Sequence, residues 1–108
     1  MDLEISPAEL AELLKSECKV RLIDVRDEWE YQHVSIPGAE HIPMMQVPQH
    51  FEEFKQDPDC QIVCYCHAGM RSLTVADWMR RSGLPNARSL SGGIDGWSRE
   101  VDPSLPRY

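Results

Sequence analysis

The sequence predicts an α/β fold with a mostly parallel central sheet. Segments with strand patterns alternate with segments with helix patterns along the 108 residues, as in sheets whose strands are joined by helices. Residues 61–65 form a nearly continuous apolar run, which favours a strand covered on both faces. Because ligands of such sheets bind beyond the carboxyl ends of the strands, we expect a site directly after residue 65.

The first half of the chain contains recognisable helix and strand signals. Ser6 and Glu9 have the spacing of a capping box, and Pro7 fits the first helical position, so the first helix begins here. Charged, turn and proline residues delimit the later segments. The expected elements are a strand over residues 20–25, a short helix from Asp27 to His33, a turn at 35–38, a strand at 39–42 and a helix at 48–56.

The second half continues the same alternation. After the apolar strand 61–65, apolar residues at helical spacing predict a helix over 71–82, with Gly83 as its stop. The remaining expected elements are a short strand at 87–90, a tight turn at 91–93 that leads into residues 94–98, and a proline-containing tail at 101–108 along the surface.

Length and charge restrict the class of protein. The size predicts one domain over residues 1–108, and every apolar stretch is far shorter than the roughly 20 residues that span a bilayer. The acidic stretch 1–4 is unlike a secretory signal, so we expect a soluble cytoplasmic protein. The net charge of −7 argues against nucleic acid and anionic membranes as partners. The sequence does not determine the oligomeric state and is compatible with a monomer.

Cys66 has the local sequence of an activated thiol. It follows the apolar strand and precedes a helix, whose free N–H groups favour a thiolate. Arg71 and His67 add positive charge, and Ser72 is placed to cap or donate. Small residues let the backbone N–H groups converge on one point as an anion-binding nest. Residues 66–108 hold six Lys or Arg and four Asp or Glu, which suits a small anionic substrate.

The four cysteines also allow interpretations other than catalysis. Cys66 has the alternative of being simply a buried core residue. Cys64 lies inside the apolar run and is expected in the core. Neither Cys18 nor Cys60 precedes a helix N-terminus with nearby positive charge, so neither is expected to be an activated thiol. Reduced thiols are favoured over disulfides, because nothing indicates a secreted scaffold. The cysteines lack the paired C-x₂-C spacing of structural zinc, so we expect no metal and no cofactor.

Three stretches together resemble the single-domain rhodanese sulfurtransferases. "CHAGMRS" at residues 66–72 is similar to the active-site loop of that family. "LIDVRDEWEYQHVSIPGAEHIP" at 22–43 and "LSGGIDGW" at 90–97 resemble its two flanking signatures, in the family's order. Gln32 departs from the pattern, since the family often has glycine before His33.

The resemblance implies a five-stranded parallel sheet with helices on both faces. It also implies that Cys66 is the catalytic nucleophile, which takes the outer sulfur of a donor such as thiosulfate as a persulfide. An acceptor, cyanide in the assay or a cellular thiol or protein, then removes that sulfur. The implied substrate-binding residues are the rest of the loop: His67, Ala68, Gly69, Met70, Arg71 and Ser72. Asp24 and Arg26 are implied to lie near the loop, either as electrostatic support or as a structural ion pair.

Two alternative functions are kept. Phosphatases and arsenate reductases of the same fold have five residues between cysteine and arginine, whereas four separate Cys66 from Arg71. The shorter loop favours one sulfur atom over a tetrahedral oxyanion. The other alternative is a sulfur carrier or binding module for a partner protein, and the intact cysteine loop argues against a purely non-catalytic module. The sequence leaves the physiological donor and acceptor open.

Overall fold

The computed structural model describes residues 2–108; Met1, part of the acidic stretch 1–4, lies outside this range. Its centre is a five-stranded, fully parallel sheet in the order β1-β5-β4-β2-β3. The strands are β1 (Glu4–Ile5), β2 (Val20–Asp24), β3 (Glu40–His41), β4 (Gln61–Tyr65) and β5 (Ala87–Leu90). The predicted α/β fold and strand number are confirmed, with β4 in the middle of the sheet.

Helices connect the strands. They are α1 (Pro7–Lys15), α2 (Glu28–His33), a 3₁₀ helix (Met44–His50), α3 (Phe51–Lys55), α4 (Met70–Arg81) and α5 (Gly93–Glu100). The start of α1 has the expected capping box. The Ser6 hydroxyl accepts from the Glu9 N–H at 3.1 Å, and the Glu9 carboxylate accepts from the Ser6 N–H at 3.1 Å.

Two apolar clusters cover the two faces of the sheet. Because side chains alternate along a strand, Ile62 and Cys64 of β4 enter one cluster, whereas Val63 and Tyr65 enter the other. Cys64 is fully buried, as expected for a core residue. The same alternation places Cys66, just beyond β4, on the Cys64 side of the sheet.

Two segments differ from the sequence prediction. The helix expected over residues 48–56 is instead a 3₁₀ helix that contains Pro48, followed by the short α3. The Phe51 N–H donates to the Pro48 carbonyl three residues back, which is the 3₁₀ pattern, so the α-helix begins only at Phe51. The edge strand β1 was not predicted, because two residues are too few to show a strand period.

The tail at 101–108 folds back over the domain. Leu105 and Tyr108 pack against the cluster that contains Trp97, and the Ser98 hydroxyl donates to the Leu105 carbonyl. Within residues 2–108, no helix combines the length and the apolar character needed to cross a bilayer.

Candidate active site

Cys66 lies where the central strand β4 leads into α4. Its side chain is 1% exposed. Burial by itself therefore does not distinguish Cys66 from an inert core cysteine. The sulfur is nevertheless directed at backbone amides: Sγ accepts from the Gly69 N–H at 3.2 Å and from the Ser72 N–H at 3.4 Å. Such donors favour a sulfur anion over a neutral thiol.

The orientation of these amides is fixed by α5. The Ile94 N–H donates to the Cys66 carbonyl at 2.9 Å, and the Asp95 N–H donates to the His67 carbonyl at 3.1 Å. The loop carbonyls therefore point to the helix start and away from Sγ. Gly93 makes this contact possible, because a Cβ at this residue would collide with both carbonyl oxygens.

A buried pair of hydroxyls completes the surroundings of the sulfur. Ser72 Oγ lies 3.4 Å from Cys66 Sγ and 2.8 Å from Ser89 Oγ. Both serines are fully buried. Ser89 on β5 therefore holds the Ser72 hydroxyl beside the sulfur.

Arg71, at the other end of the loop, is paired with Glu30 of α2. Arg71 Nη1 and Nη2 donate to the two Glu30 carboxylate oxygens at 2.8 and 3.0 Å. The bond from Arg71 lowers the pKa of Glu30 to about 2, although burial of the carboxyl opposes this shift. Because the Glu30 carboxylate is ion-paired with the guanidinium, Arg71 is not the unpaired cation that the sequence suggests.

Asp24 and Arg26 form a second, fully buried ion pair. Arg26 Nη2 lies 2.6 Å from Asp24 Oδ2, and Nε donates to Oδ1 at 2.9 Å. The guanidinium also donates to the Val34 carbonyl, and this bond ties the end of β2 to the segment after α2. These contacts fit the structural reading of the pair.

The remaining predicted loop residues face outwards. Ala68 is exposed, and the Met70 side chain is 76% exposed. His67 is partly buried, with its ring against the ring of Tyr108 at a centroid distance of 4.2 Å. The loop thus presents a polar interior to Cys66 and an exposed apolar side chain at its rim.

The other cysteines lie in different surroundings. Burial, and secondarily the neighbouring Cys66, raises the pKa of Cys64 to about 12, so this thiol stays protonated. Burial likewise raises the pKa of Cys60, and Cys18 is exposed.

A comparison with family models matches residues 6–100 to the family described as the rhodanese-like domain. The chain belongs to this family. The match includes every strand of the sheet except β1, together with the Cys66 loop and α5. The segment 101–108 of this rhodanese-like chain lies beyond it.

Named relatives support the assignment. The putative sulfurtransferase YtwF of Bacillus subtilis is 35% identical over 93% of this chain and 94% of its own length. The probable adenylyltransferase/sulfurtransferase MoeZ of Mycobacterium tuberculosis is 36% identical over 96% of this chain, which spans only 26% of MoeZ. A crystal structure of a rhodanese-like domain protein from Staphylococcus aureus superposes with a TM-score of 0.81, at 27% identity over 99% of both chains.

Three residues of this site were not predicted from the sequence. Glu30 lies inside the predicted short helix from Asp27 to His33, whose start it caps by accepting from the Asp27 N–H at 3.2 Å. Ser89 and Tyr108 carry no local signal, because their partners lie on distant segments.

Proposed function

We propose that this chain is a sulfurtransferase that carries sulfur as a persulfide on Cys66. The observation that carries the proposal is the convergence of the Gly69 and Ser72 N–H groups on Cys66 Sγ. Relatives named as sulfurtransferases, and the rhodanese-like family itself, support the same reaction class.

The proposed first step is attack of the Cys66 thiolate on the outer sulfur of a donor such as thiosulfate. A bond forms between Sγ and that sulfur, the S–S bond of the donor breaks, and its electron pair leaves with sulfite. In the second step a thiophilic acceptor attacks the terminal sulfur. With cyanide the product is thiocyanate, and the Cys66 thiolate is regenerated, as in two-step covalent catalysis.

The loop supplies electrostatic stabilisation in this scheme. The negative charge of the persulfide lies next to preorganised N–H donors, which need no reorganisation when the charge moves outwards. The Ser72 hydroxyl, held by Ser89, adds a neutral donor beside the sulfur. We assign Arg71 chiefly to positioning the loop through Glu30, with a smaller share in attracting an anionic donor.

The acceptor is proposed to be a cellular thiol or a protein. The loop residue Met70 is 76% exposed, and Met45, which lines a surface pocket with Thr74 and Trp78 of α4, is 85% exposed. Such exposed apolar side chains favour contact with a protein. MoeZ joins a matching segment to a longer chain, which also fits transfer to a protein. We propose that this takes place in the cytoplasm, where free cysteines remain reduced.

Fewer observations support the phosphatase alternative than support sulfur transfer. Four residues separate Cys66 from Arg71, and only two backbone N–H groups contact Sγ in the described chain. A tetrahedral oxyanion needs a wider set of donors. Turnover of an aryl phosphate would support this alternative.

Mass spectrometry tests the sulfurtransferase proposal directly. After incubation with thiosulfate and removal of excess donor, the peptide that contains Cys66 is expected to gain one sulfur atom. Addition of cyanide should remove this sulfur and release thiocyanate.

The matched variants are Cys66→Ala and Cys64→Ala. Cys66→Ala is expected to gain no sulfur and to form no thiocyanate, whereas Cys64→Ala should retain both because its thiol is buried and protonated. An unmodified Cys66 in the folded protein under donor excess would rule out the persulfide mechanism.

A further inference from the structure

The tail at residues 101–108 reaches the candidate active site, although it lies outside the part of the chain that matches the family. Arg107 anchors it on α5, since Nε and Nη2 donate to the Asp95 carboxylate at 2.7 and 3.2 Å. With Leu105 packed against the core cluster, these bonds hold the next residue, Tyr108, over the loop.

The Tyr108 hydroxyl joins the two ion pairs of the site. It accepts from Arg26 Nη1 at 2.7 Å and donates to Glu30 Oε2 at 2.6 Å. Burial, with the bond to Glu30, raises the pKa of Tyr108 to about 12. The hydroxyl therefore stays protonated and remains a donor to the carboxylate that holds Arg71.

The Tyr108 ring contacts the opposite end of the loop. Its edge-to-face contact with His67 has a centroid distance of 4.2 Å and an interplanar angle of 87°. His33 and Trp29 flank the same ring at 5.6 and 5.8 Å. One side chain thus touches the residue after Cys66 and, through Glu30, holds the arginine that closes the loop.

We propose that Tyr108 is a positioning residue for the Cys66 loop, an inference that rests on the proposed sulfur transfer for its effect on activity. The hydroxyl fixes Glu30 against Arg71, and the ring restrains His67. The tail thereby keeps the Gly69 and Ser72 amides aligned on the sulfur and keeps the loop closed over Cys66.

The test compares the rate of sulfur transfer with the rate of Cys66 alkylation, which should change in opposite directions. In Tyr108→Ala, kcat/KM for sulfur transfer from thiosulfate to cyanide should fall about tenfold, since small displacements of catalytic donors are costly. Alkylation of Cys66 by iodoacetamide, followed at the peptide level, should become about fivefold faster, because the 1% exposed thiol then becomes accessible more often.

Two further variants separate the contributions. Tyr108→Phe keeps the ring contact and loses both hydroxyl bonds, so it should lie between the unmodified protein and Tyr108→Ala in both measurements. Arg107→Gln leaves Tyr108 intact but weakens the bonds that anchor the tail on α5. As in Tyr108→Ala, kcat/KM should fall and alkylation of Cys66 should become faster. Ser104→Ala serves as the matched control, because Ser104 is a tail residue whose hydroxyl donates to Asp102.

Cys64 reports on general loss of structure, because it is fully buried on the same face. If Cys64 alkylation rises in parallel with that of Cys66, Tyr108 serves overall stability and the proposal fails. It also fails if both Cys66 measurements in Tyr108→Ala stay within about twofold of the unmodified protein. If the unmodified protein transfers no sulfur, the proposed function fails, and the alkylation comparison still decides whether Tyr108 positions the loop.

Discussion

The backbone at Gly93 lies against the carbonyl groups of Cys66 and His67. Its φ of +60° is unfavourable for other residues, and an added Cβ would collide with both carbonyl oxygens. Gly38 has a similarly positive φ of +88°, but no atom lies within 4 Å of a Cβ placed there. An alanine at Gly38 would therefore introduce backbone strain alone, whereas an alanine at Gly93 would introduce strain and also displace the loop.

We expect Gly93→Ala to lower the free energy of unfolding by at least about 2 kcal/mol more than Gly38→Ala. Gly93→Ala should also abolish persulfide formation, because the collision displaces the amides around Sγ. Urea unfolding and the Cys66 mass shift measure the two effects. Equal stability losses in the two variants would show that the loop accommodates the extra methyl group.

Glu30 is the carboxylate through which α2 holds the loop arginine. Its ordinary pKa of 4.5 falls to about 2 in the folded protein. A carboxyl whose pKa is lower in the folded state stabilises the fold above its unfolded pKa. That contribution is lost as the pH falls from about 4.5 towards about 2.

We therefore expect Glu30→Gln to lower the free energy of unfolding by roughly 1–3 kcal/mol at pH 7. The difference from the unmodified protein should shrink as the pH falls below 4.5. Denaturant titrations across this pH range provide the measurement. A difference that is independent of pH would mean that the charge of Glu30 does not stabilise the fold.

At the scale of elements, the start of α1 is stabilised locally. Ser6 and Glu9 bond reciprocally, and both lie outside the Cys66 loop. The start of α4 differs, because Gly69 occupies the N-cap position with a φ of +110° and its N–H donates to the sulfur. One helix start thus serves stability, while the other serves the site.

Ser6→Ala is expected to lower the free energy of unfolding by about 1 kcal/mol, the usual contribution of such a cap. Sulfur transfer at 25 °C should be unchanged, because the bond that is lost joins Ser6 to Glu9, whereas the bonds to Cys66 Sγ come from Gly69 and Ser72. Thermal unfolding and the thiocyanate assay measure the two properties. A loss of activity without a loss of stability would indicate coupling between α1 and the site.

At the scale of the whole molecule, the charge distribution differs from the impression given by the sequence. The second half is cationic by count, but Arg71, Arg81, Arg99 and Arg107 are paired with carboxylates. The net charge of −7 therefore dominates the long-range field.

We accordingly expect kcat/KM for dianionic thiosulfate to rise about twofold when the ionic strength increases from about 0.01 to 0.15 M, because salt screens the repulsion. Alkylation of Cys66 by the neutral reagent iodoacetamide should not change, and it serves as the control. A fall in kcat/KM with added salt would instead indicate a locally positive entrance to the site.

Much of this molecule is determined by short stretches of sequence. The capping box at Ser6, the apolar run before Cys66 and the loop "CHAGMRS" are local patterns, so the α/β class, most elements and the site loop were predicted from them. Local chemistry suffices where neighbouring residues are also partners in space. The helix expected over 48–56 is α-helical only over Phe51–Lys55, and residues 48–50 belong to the preceding 3₁₀ helix.

Tertiary structure alone decided which distant groups meet around the Cys66 loop. Glu30 bonds to an arginine 41 residues away, and Tyr108 bonds to Glu30 across 78 residues. Nothing in the neighbourhood of either residue specifies these partners, because Glu30 lies in α2 and Tyr108 in the tail, and only the packing of these segments around the loop brings them together. The position of Cys66 after β4 is thus set by local sequence, whereas the pairing of Arg71 with Glu30 and the contact of Tyr108 with His67 follow from the folded arrangement.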